Sequence, residues 1–361
     1  MKKIVIWGYY GSNYGDDIML RVILDYLIEK KISVEVIDGY NNNLEERLVD
    51  FKSNSLVKVT NFRELSKLKK LFKLWDLKSA KINLWGGGTV FTDEDGDGNY
   101  KFFRALSYLG GKFGYVGVGI GNLEKVDRIK HTRWLLKRSV LTVFRDDTSL
   151  KRANIMYKQN DYILAEDLSY KYFDDYRKSN QTKHKLEPYV LLTWRNLIGY
   201  FTEAEELKLM KNTLDSIKGI MMDKGIKNLK LLPLDSKFDE ASCDKIIQLC
   251  KSLNIEVTYD RNLPINKQTN LILNSSYHIS GRLHGSIASE FFNVPTVGLA
   301  YSPKMIYFYN SINSKKFLDI KHDEINYKNL VSKLKEDSEK ISSEFIQSAS
   351  KNLEILDNYI C

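Results

Sequence analysis

The sequence predicts an α/β protein built of two Rossmann-like halves, each a parallel sheet covered by helices. Three observations predict it. Apolar runs of strand length alternate with longer stretches whose apolar residues recur at helical spacing, the pattern of parallel sheets covered on both faces. Glycine-rich or cationic loops follow the ends of those runs, where ligands of such sheets bind. The same rhythm restarts after a polar stretch near the middle of the 361-residue chain, and that length calls for more than one domain.

In the first half, residues 3–7 form a short buried-strand pattern. The loop Gly8-Tyr9-Tyr10-Gly11-Ser12-Asn13-Tyr14-Gly15-Asp16-Asp17 follows. A helix is expected over 18–30, with Met19, Val22, Ile23, Tyr26 and Leu27 on one face, and a strand over 33–38. The loop lacks the G-x-G-x-x-G spacing and is acidic, which argues against a dinucleotide. Residues 42–77 are Lys-rich, with helix-like stretches. Residues 81–85 read as a strand ending in Gly86, Gly87 and Gly88, either a place where something approaches the backbone or a tight strand-to-helix turn. The acidic run Asp93-Glu94-Asp95-Gly96-Asp97-Gly98 has the composition of a calcium loop but lacks its bidentate Glu and flanking helices, so no metal is expected there. Strands over 115–120, 141–144 and 162–165 and helices over 123–137 and from 148 complete the half. Arg145 and Asp167 each follow a strand end.

The polar stretch 172–187 reads as a linker, which sets the domains at 1–178 and 179–361. Strands are then expected over 189–194, 229–232, 255–259, 277–279 and 296–300, with helices over 204–224, 240–253 and 264–274. Pro303 suits the first turn of a further helix, and 327–359 is amphipathic and helical. Arg195, Arg282 and Lys304 all follow strand ends. The turn Ser280-Gly281-Arg282-Leu283-His284-Gly285 is the expected centre of the chemistry. A helix of residues 286–292 begins there, so backbone N–H groups and partial positive charge meet Arg282. Two glycines permit close approach of a ligand, and His284 can exchange a proton near neutral pH. Halves with facing strand ends would enclose a cleft, and cations converging in it suit a small compound bearing phosphate and carboxylate.

The net charge of +9 comes from Lys and Arg scattered among acids, with no nucleic-acid motif, so nucleic acid is not the expected partner. Peripheral attraction to the inner face of a membrane stays open. The apolar run at the start is too short for a signal peptide, and no run is long enough to span a membrane. Cys243 and Cys250 lie seven apart on one expected helix, a poor geometry for a disulfide, which points to reduced thiols and a cytoplasmic setting. With Cys361 and the histidines they lack metal spacing, and the cations can offset an anionic ligand's charge, so no metal or organic cofactor is expected.

The chain resembles the polysaccharide pyruvyl transferases from Gly8 to about Lys304. The resemblance rests on the Gly8–Asp17 loop, Gly86-Gly87-Gly88, Gly117-Val118-Gly119-Ile120-Gly121, Arg145-Asp146, Asp167, Arg282-Leu283-His284-Gly285 and Tyr301-Ser302-Pro303-Lys304, in that order. It implies a fold like the two-domain GT-B glycosyltransferases. It further implies transfer of a pyruvyl group from phosphoenolpyruvate to two hydroxyls of one sugar, in a cell-surface polysaccharide or its precursor, giving a ketal and phosphate. On that implication Arg145, Arg195, Arg282, Leu283 and Lys304 form the donor site in the cleft, and His284 protonates the methylene carbon. The first domain is the acceptor side, where Asn13, Gly15, Gly86, Gly87, Gly88 and Asp167 bind the acceptor or form the loops of the cleft. Asp16 or Asp17 is the base or an acceptor ligand, unless both merely cap the helix. The alternatives are a glycosyltransferase using a nucleotide-sugar and a non-catalytic sugar-binding protein.

Overall fold

The computed structural model describes residues 3–40, 42, 44–51, 53–93, 96–158, 161–179 and 187–360. Glu94 and Asp95 of the acidic loop, residues 180–186 of the expected linker and Cys361 lie outside them. The chain divides into two compact units, Met1–Asp175 with Ser343–Cys361, and Tyr176–Ser342.

The first unit carries a seven-stranded sheet of β1 (Ile4–Gly8), β2 (Val34–Asp38), β3 (Val57–Asn61), β4 (Ile82–Phe91), β5 (Phe113–Ile120), β6 (Leu141–Phe144) and β7 (Tyr162–Leu164). Their spatial order is β3-β2-β1-β4-β5-β6-β7, and every pairing is parallel. The order reverses between β1 and β4, so the loops leaving those two strands diverge and open a crevice. Strands β1, β2, β5 and β6 are buried throughout and β4 at every residue but Thr89, as covering by helices on both faces requires. Trp7, Phe91, Phe103, Phe113, Tyr115 and Phe144 form part of one core on this sheet. The helices are α1 (Tyr14–Glu29), α2 (Leu44–Arg47), α3 (Lys67–Leu77), α4 (Tyr100–Tyr108), α5 (Val126–Arg138), α6 (Asp147–Met156) and α7 (Ser169–Ser179), whose residues from Tyr176 belong to the second unit.

The second unit repeats the plan with β8 (Tyr189–Thr193), β9 (Asn228–Leu231), β10 (Val257–Tyr259), β11 (Tyr277–Ser280), β12 (Thr296–Ala300) and β13 (Phe317–Asp319), in the order β10-β9-β8-β11-β12-β13 and again all parallel. Here the order reverses between β8 and β11. Its helices are α8 (Glu203–Lys224), α9 (Glu240–Ser252), α10 (Ile265–Leu273), α11 (Leu283–Phe291), α12 (Pro303–Ser311) and α13 (Tyr327–Leu334), while α14 (Ser343–Ile360) belongs to the first unit.

Several expectations need correction. The stretch 172–187 is not all linker: α7 occupies its first half, because Tyr170, Tyr172 and Phe173 are buried apolar anchors. The amphipathic tail is two helices, and the second does not end the second domain. Leu353 and Leu356 of α14 are buried, Asn352 Nδ2 donates to the Glu166 carbonyl at 2.8 Å, and Tyr359 Oη donates to Val140 O at 2.7 Å. Strands β3 and β13 and helix α4 add to the elements expected from the sequence. β3 and β13 are edge strands, so their apolar patterns are short and incomplete.

The three glycines end neither strand nor chain direction. β4 runs through them to Phe91, and what approaches them is α1 and its loop. A Cβ at Gly86 would lie 2.6 Å from Tyr10 Oη, one at Gly87 2.6 Å from Met19 Sδ, and one at Gly88 2.7 Å from Asp16 Oδ1. Gly87 and Gly88 also have φ of +78° and +85°, a region costly for any residue with a Cβ. Gly87→Ala is therefore expected to destabilise the first unit by at least about 1–2 kcal/mol from the backbone alone. Gly39→Ala, where a Cβ meets nothing within 4 Å, should be near neutral. Urea unfolding of the two variants side by side checks this; equal midpoints would refute it.

Candidate active site

In the first unit the loop after β1 is folded by its own polar groups. Asn13 caps α1, its side chain accepting from the N–H of Gly15 at 2.9 Å. Asp17 is buried, and its Oδ1 accepts from the N–H of Gly11 at 2.6 Å. Tyr10 Oη donates to the Gly86 carbonyl at 2.6 Å, which fixes the loop on the glycine run of β4. The expected pair of carboxylates thus separates into two roles. Asp17 closes the loop, while Asp16 is half-buried beside Gly88 at the crevice between β1 and β4.

Arg145, expected among donor ligands, is buried and engaged on two sides. Its Nη1 bonds Asp167 Oδ2 at 2.9 Å, and its Nη2 donates to Thr89 Oγ1 at 2.7 Å. Thr89 is on β4 just past the glycines, Arg145 follows β6 and Asp167 follows β7, so one ion pair ties three strand ends. Asp167 Oδ1 also accepts from Ser169 N at 2.9 Å. Asp146 caps α6 through Ser149 N at 2.7 Å. Glu166, passed over in the sequence, is half-buried here. Burial first, then the charges of Asp167 and Asp146, push its pKa up to about 7. A carboxyl that holds a proton near neutrality can act as acid or base. Asp93 accepts from the N–H groups of Glu124 and Lys125 at 2.7 and 3.0 Å and so shapes the approach to α5. Among the described residues no group of three or more His, Cys, Asp or Glu side chains is arranged to hold a metal ion.

In the second unit the helix after the Arg-Leu-His-Gly turn begins at Leu283, three residues earlier than expected, with Arg282 in the N-cap position. Leu283 is buried and His284 half-buried in its first turn. The two glycines serve the chain itself. A Cβ at Gly281 would lie 2.9 Å from the Thr193 carbonyl at the end of β8, and one at Gly285 would lie 2.9 Å from Ser280 Oγ and 3.0 Å from Leu234. The neighbouring His278 is fully buried between Thr193 Oγ1 at 3.0 Å and Ser289 Oγ at 2.6 Å. Burial lowers its pKa to about 3, so it is neutral and joins β11 to β8 and α11.

Arg282 is held by acids that sequence reading did not single out. Its Nε donates to Asp239 Oδ2 at 2.9 Å, its Nη2 bonds Asp239 Oδ1, and Asp235 Oδ2 stands 3.8 Å away. Burial works against the guanidinium charge, but the two acids outweigh it and raise the pKa. Asp239 is wholly buried and also accepts from the N–H groups of Asp235 at 3.0 Å and Asn196 at 3.3 Å. It therefore gathers the loops after β8, β9 and β11. No local pattern in the sequence marks Asp239; its role appears only when those loops come together.

A buried phenol completes the cluster. Tyr301 follows β12, and Arg195 Nη1 donates to its Oη at 2.6 Å while the guanidinium lies 4.6 Å from the ring centroid. Lys304 Nζ is 5.9 Å from that centroid, and Tyr200 packs edge-on at 5.2 Å. Burial would raise the pKa of the phenol, yet Lys304, Arg195 and Arg282 together bring it down to about 8. Three of the expected donor-site cations thus surround one side chain within the second unit, where the strand order reverses.

The sequence model of the polysaccharide pyruvyl transferase family matches residues 13–303 of the chain. No curated protein matches it in sequence. Among solved structures, the chain is similar to the UDP-GlcNAc 2-epimerase of Neisseria meningitidis bound to UDP-GlcNAc, with a TM-score of 0.65 and 11% identity over 100% of both chains. It is also similar to the UDP-N-acetylglucosamine 2-epimerase of Rickettsia bellii, with a TM-score of 0.68 and 10% identity over 100% of this chain and 96% of that one. The UDP-GlcNAc 2-epimerase of Methanocaldococcus jannaschii aligns with a TM-score of 0.64 and 13% identity over 99% of this chain and 100% of that one. At such identities the likeness is one of fold, the GT-B fold.

The cation cluster predicts its own titration. One of the 22 tyrosines should ionise near pH 8, two units below an ordinary phenol. Tyrosinate absorbance followed against pH should show this early step in the wild type and lose it in Tyr301→Phe. Because the phenolate adds negative charge among the cations, affinity for an anion such as phosphate should fall as pH rises through that step. A variant curve identical to the wild type would refute the assignment.

Proposed function

Because the chain belongs to the polysaccharide pyruvyl transferase family, we propose that it transfers the pyruvyl group of phosphoenolpyruvate to two hydroxyls of one sugar in a polysaccharide or its precursor. The observation that carries this reading is the cluster of Arg195, Arg282 and Lys304 around Tyr301 beyond the ends of β8, β11 and β12. A small donor with a phosphate and a carboxylate matches several cations held at fixed positions.

In this reading Arg195 and Lys304 take the donor's anionic groups. Arg282 joins them through the edge of its guanidinium that Asp239 leaves over, and the first-turn N–H groups of α11 add partial positive charge. Leu283 lines the turn. His284 gives a proton to the methylene carbon of the donor. The cation so formed at the neighbouring carbon is attacked by one sugar hydroxyl. A second hydroxyl of the same sugar then displaces phosphate, and the two hydroxyl protons leave to bases. The balance is one phosphate released for each ketal formed, with no oxidant or reductant. Asp16, beside the glycine run, and Glu166, whose proton is held near neutrality, are the carboxylates suited to the acceptor hydroxyls. Asn13, Gly15, Asp17 and Gly86–Gly88 shape the acceptor loop, and Arg145 with Asp167 ties Thr89 of β4 to the loops after β6 and β7.

The test is to incubate the protein with phosphoenolpyruvate and candidate glycans and to follow phosphate release together with acceptor mass. One phosphate per glycan that gains a pyruvate less one water is the expected result. Turnover of a nucleotide-sugar without consumption of phosphoenolpyruvate would replace this reading with glycosyl transfer. Under saturating donor, His284→Gln should lower turnover about 10²–10⁴-fold, as loss of a general acid does, with little change in the Michaelis constant. Turnover near that of the wild type would remove His284 from the proton-transfer step.

A further inference from the structure

Helix α3 is apolar on two opposite faces. Leu77 is buried in the core of the first unit and Leu74 packs against it. Lys73 of the same side is fastened to Glu35 and, at 2.9 Å, to Asp76. The opposite face exposes Leu68, Leu71, Phe72 and Trp75 at 63%, 65%, 69% and 59%. Their spacing of i, i+3, i+4 and i+7 makes one continuous stripe, and large apolar side chains in one exposed patch mark an interaction surface.

Charge says what that surface fits. Lys67 and Lys78 border the stripe on one side, Lys69 and Asp76 on the other, where Asp76 is offset by Lys3 at 2.7 Å and Lys73 at 2.9 Å, and Lys78 Nζ sits 3.1 Å from the centroid of the Trp75 ring. Beyond the helix's C-terminal end is a cavity of about 390 Å³ lined by Lys78, Ala80, Lys81, Gly110 and Lys112. Lys81 donates to the Ile360 carbonyl at its edge. An apolar stripe bordered by lysines, with a cationic hollow beside it, has the form of a helix lying in a bilayer interface. A second copy docking by the same face would set lysines against lysines, which opposes self-association.

We infer that α3 docks this protein on an anionic membrane surface: Leu68, Leu71, Phe72 and Trp75 enter the acyl boundary, and the lysines around them meet headgroup phosphates. The orientation leaves Leu74 and Leu77 in the core, so docking needs no unfolding. No helix among the described residues is long and apolar enough to cross a membrane, and this contact is reversible and lies in the surface plane.

The full chain should co-sediment with vesicles of equal parts phosphatidylglycerol and phosphatidylcholine, and far less with phosphatidylcholine alone. Added salt should weaken the binding. Tryptophan emission should shift to the blue on binding, and Trp75→Phe should lose that shift. The double variant Leu71→Asp, Phe72→Asp should keep the wild-type thermal unfolding, because both side chains are exposed, and should bind at least about tenfold more weakly. Absence of wild-type binding to the anionic vesicles would overturn the inference. So would equal binding by the double variant. A wild-type dimer abolished by the double variant, with no vesicle binding, would give the stripe to a second copy instead.

Discussion

In each unit one buried ion pair ties together the loops that leave the C-terminal ends of the sheet, Arg145 with Asp167 in the first and Arg282 with Asp239 in the second. Taking both charges out of water is costly, and such a pair adds little net stability. What it supplies is position. Asp239 collects Asn196, Asp235 and Arg282 from three different loops, and Arg145 reaches Asp167 and Thr89 across three strand ends. Loss of either acid would strand a buried guanidinium at a cost of about 3–5 kcal/mol. Within each unit the residues on those loops inherit their placement from that unit's own pair.

The second pair also sets the electrostatics. Asp239 and Asp235 neutralise Arg282, yet Tyr301 still feels enough positive charge from Lys304, Arg195 and Arg282 to bring its pKa down to about 8. A local excess of that kind, beyond the ends of β8 and β11 where the strand order reverses, is where a small anion binds in a parallel α/β sheet. His278, on β11 six residues before His284, shows the contrast. It is buried, neutral and fully engaged in holding β11 to its neighbours.

Much of this was legible in the sequence. Parallel strands covered on both faces read as apolar runs, so the sheets and the order of their elements could be followed, as could Arg195, Arg282 and Lys304 at strand ends. Other features lie in long-range contacts that no local pattern carries. Asp239 and Glu166 look like ordinary acids until burial and neighbours act on them. Tyr301 stood inside a recognised motif, but its meaning depends on Arg195, 106 residues away. The sequence leaves Gly86–Gly88 as either a close approach to the backbone or a tight turn, and Gly281 as room for a ligand; what approaches them is the chain's own loop, helix and strand end. Proximity along the chain places the last helix in the second domain, whereas its buried Leu353 and Leu356 return it to the first unit. The apolar stripe of α3 was present as a Lys-rich helical stretch, but a sequence does not say which of two apolar faces turns inward.

The account rests on the claim that the cations of the second unit hold an anionic three-carbon donor. Calorimetric titration of phosphoenolpyruvate tests it most directly, on the wild type, Arg195→Ala and Lys304→Ala. Each variant should lose roughly 2–3 kcal/mol of binding free energy, the worth of a charge-assisted contact in a partly desolvated site. Phosphoenolpyruvate affinity unchanged in both variants would contradict the account.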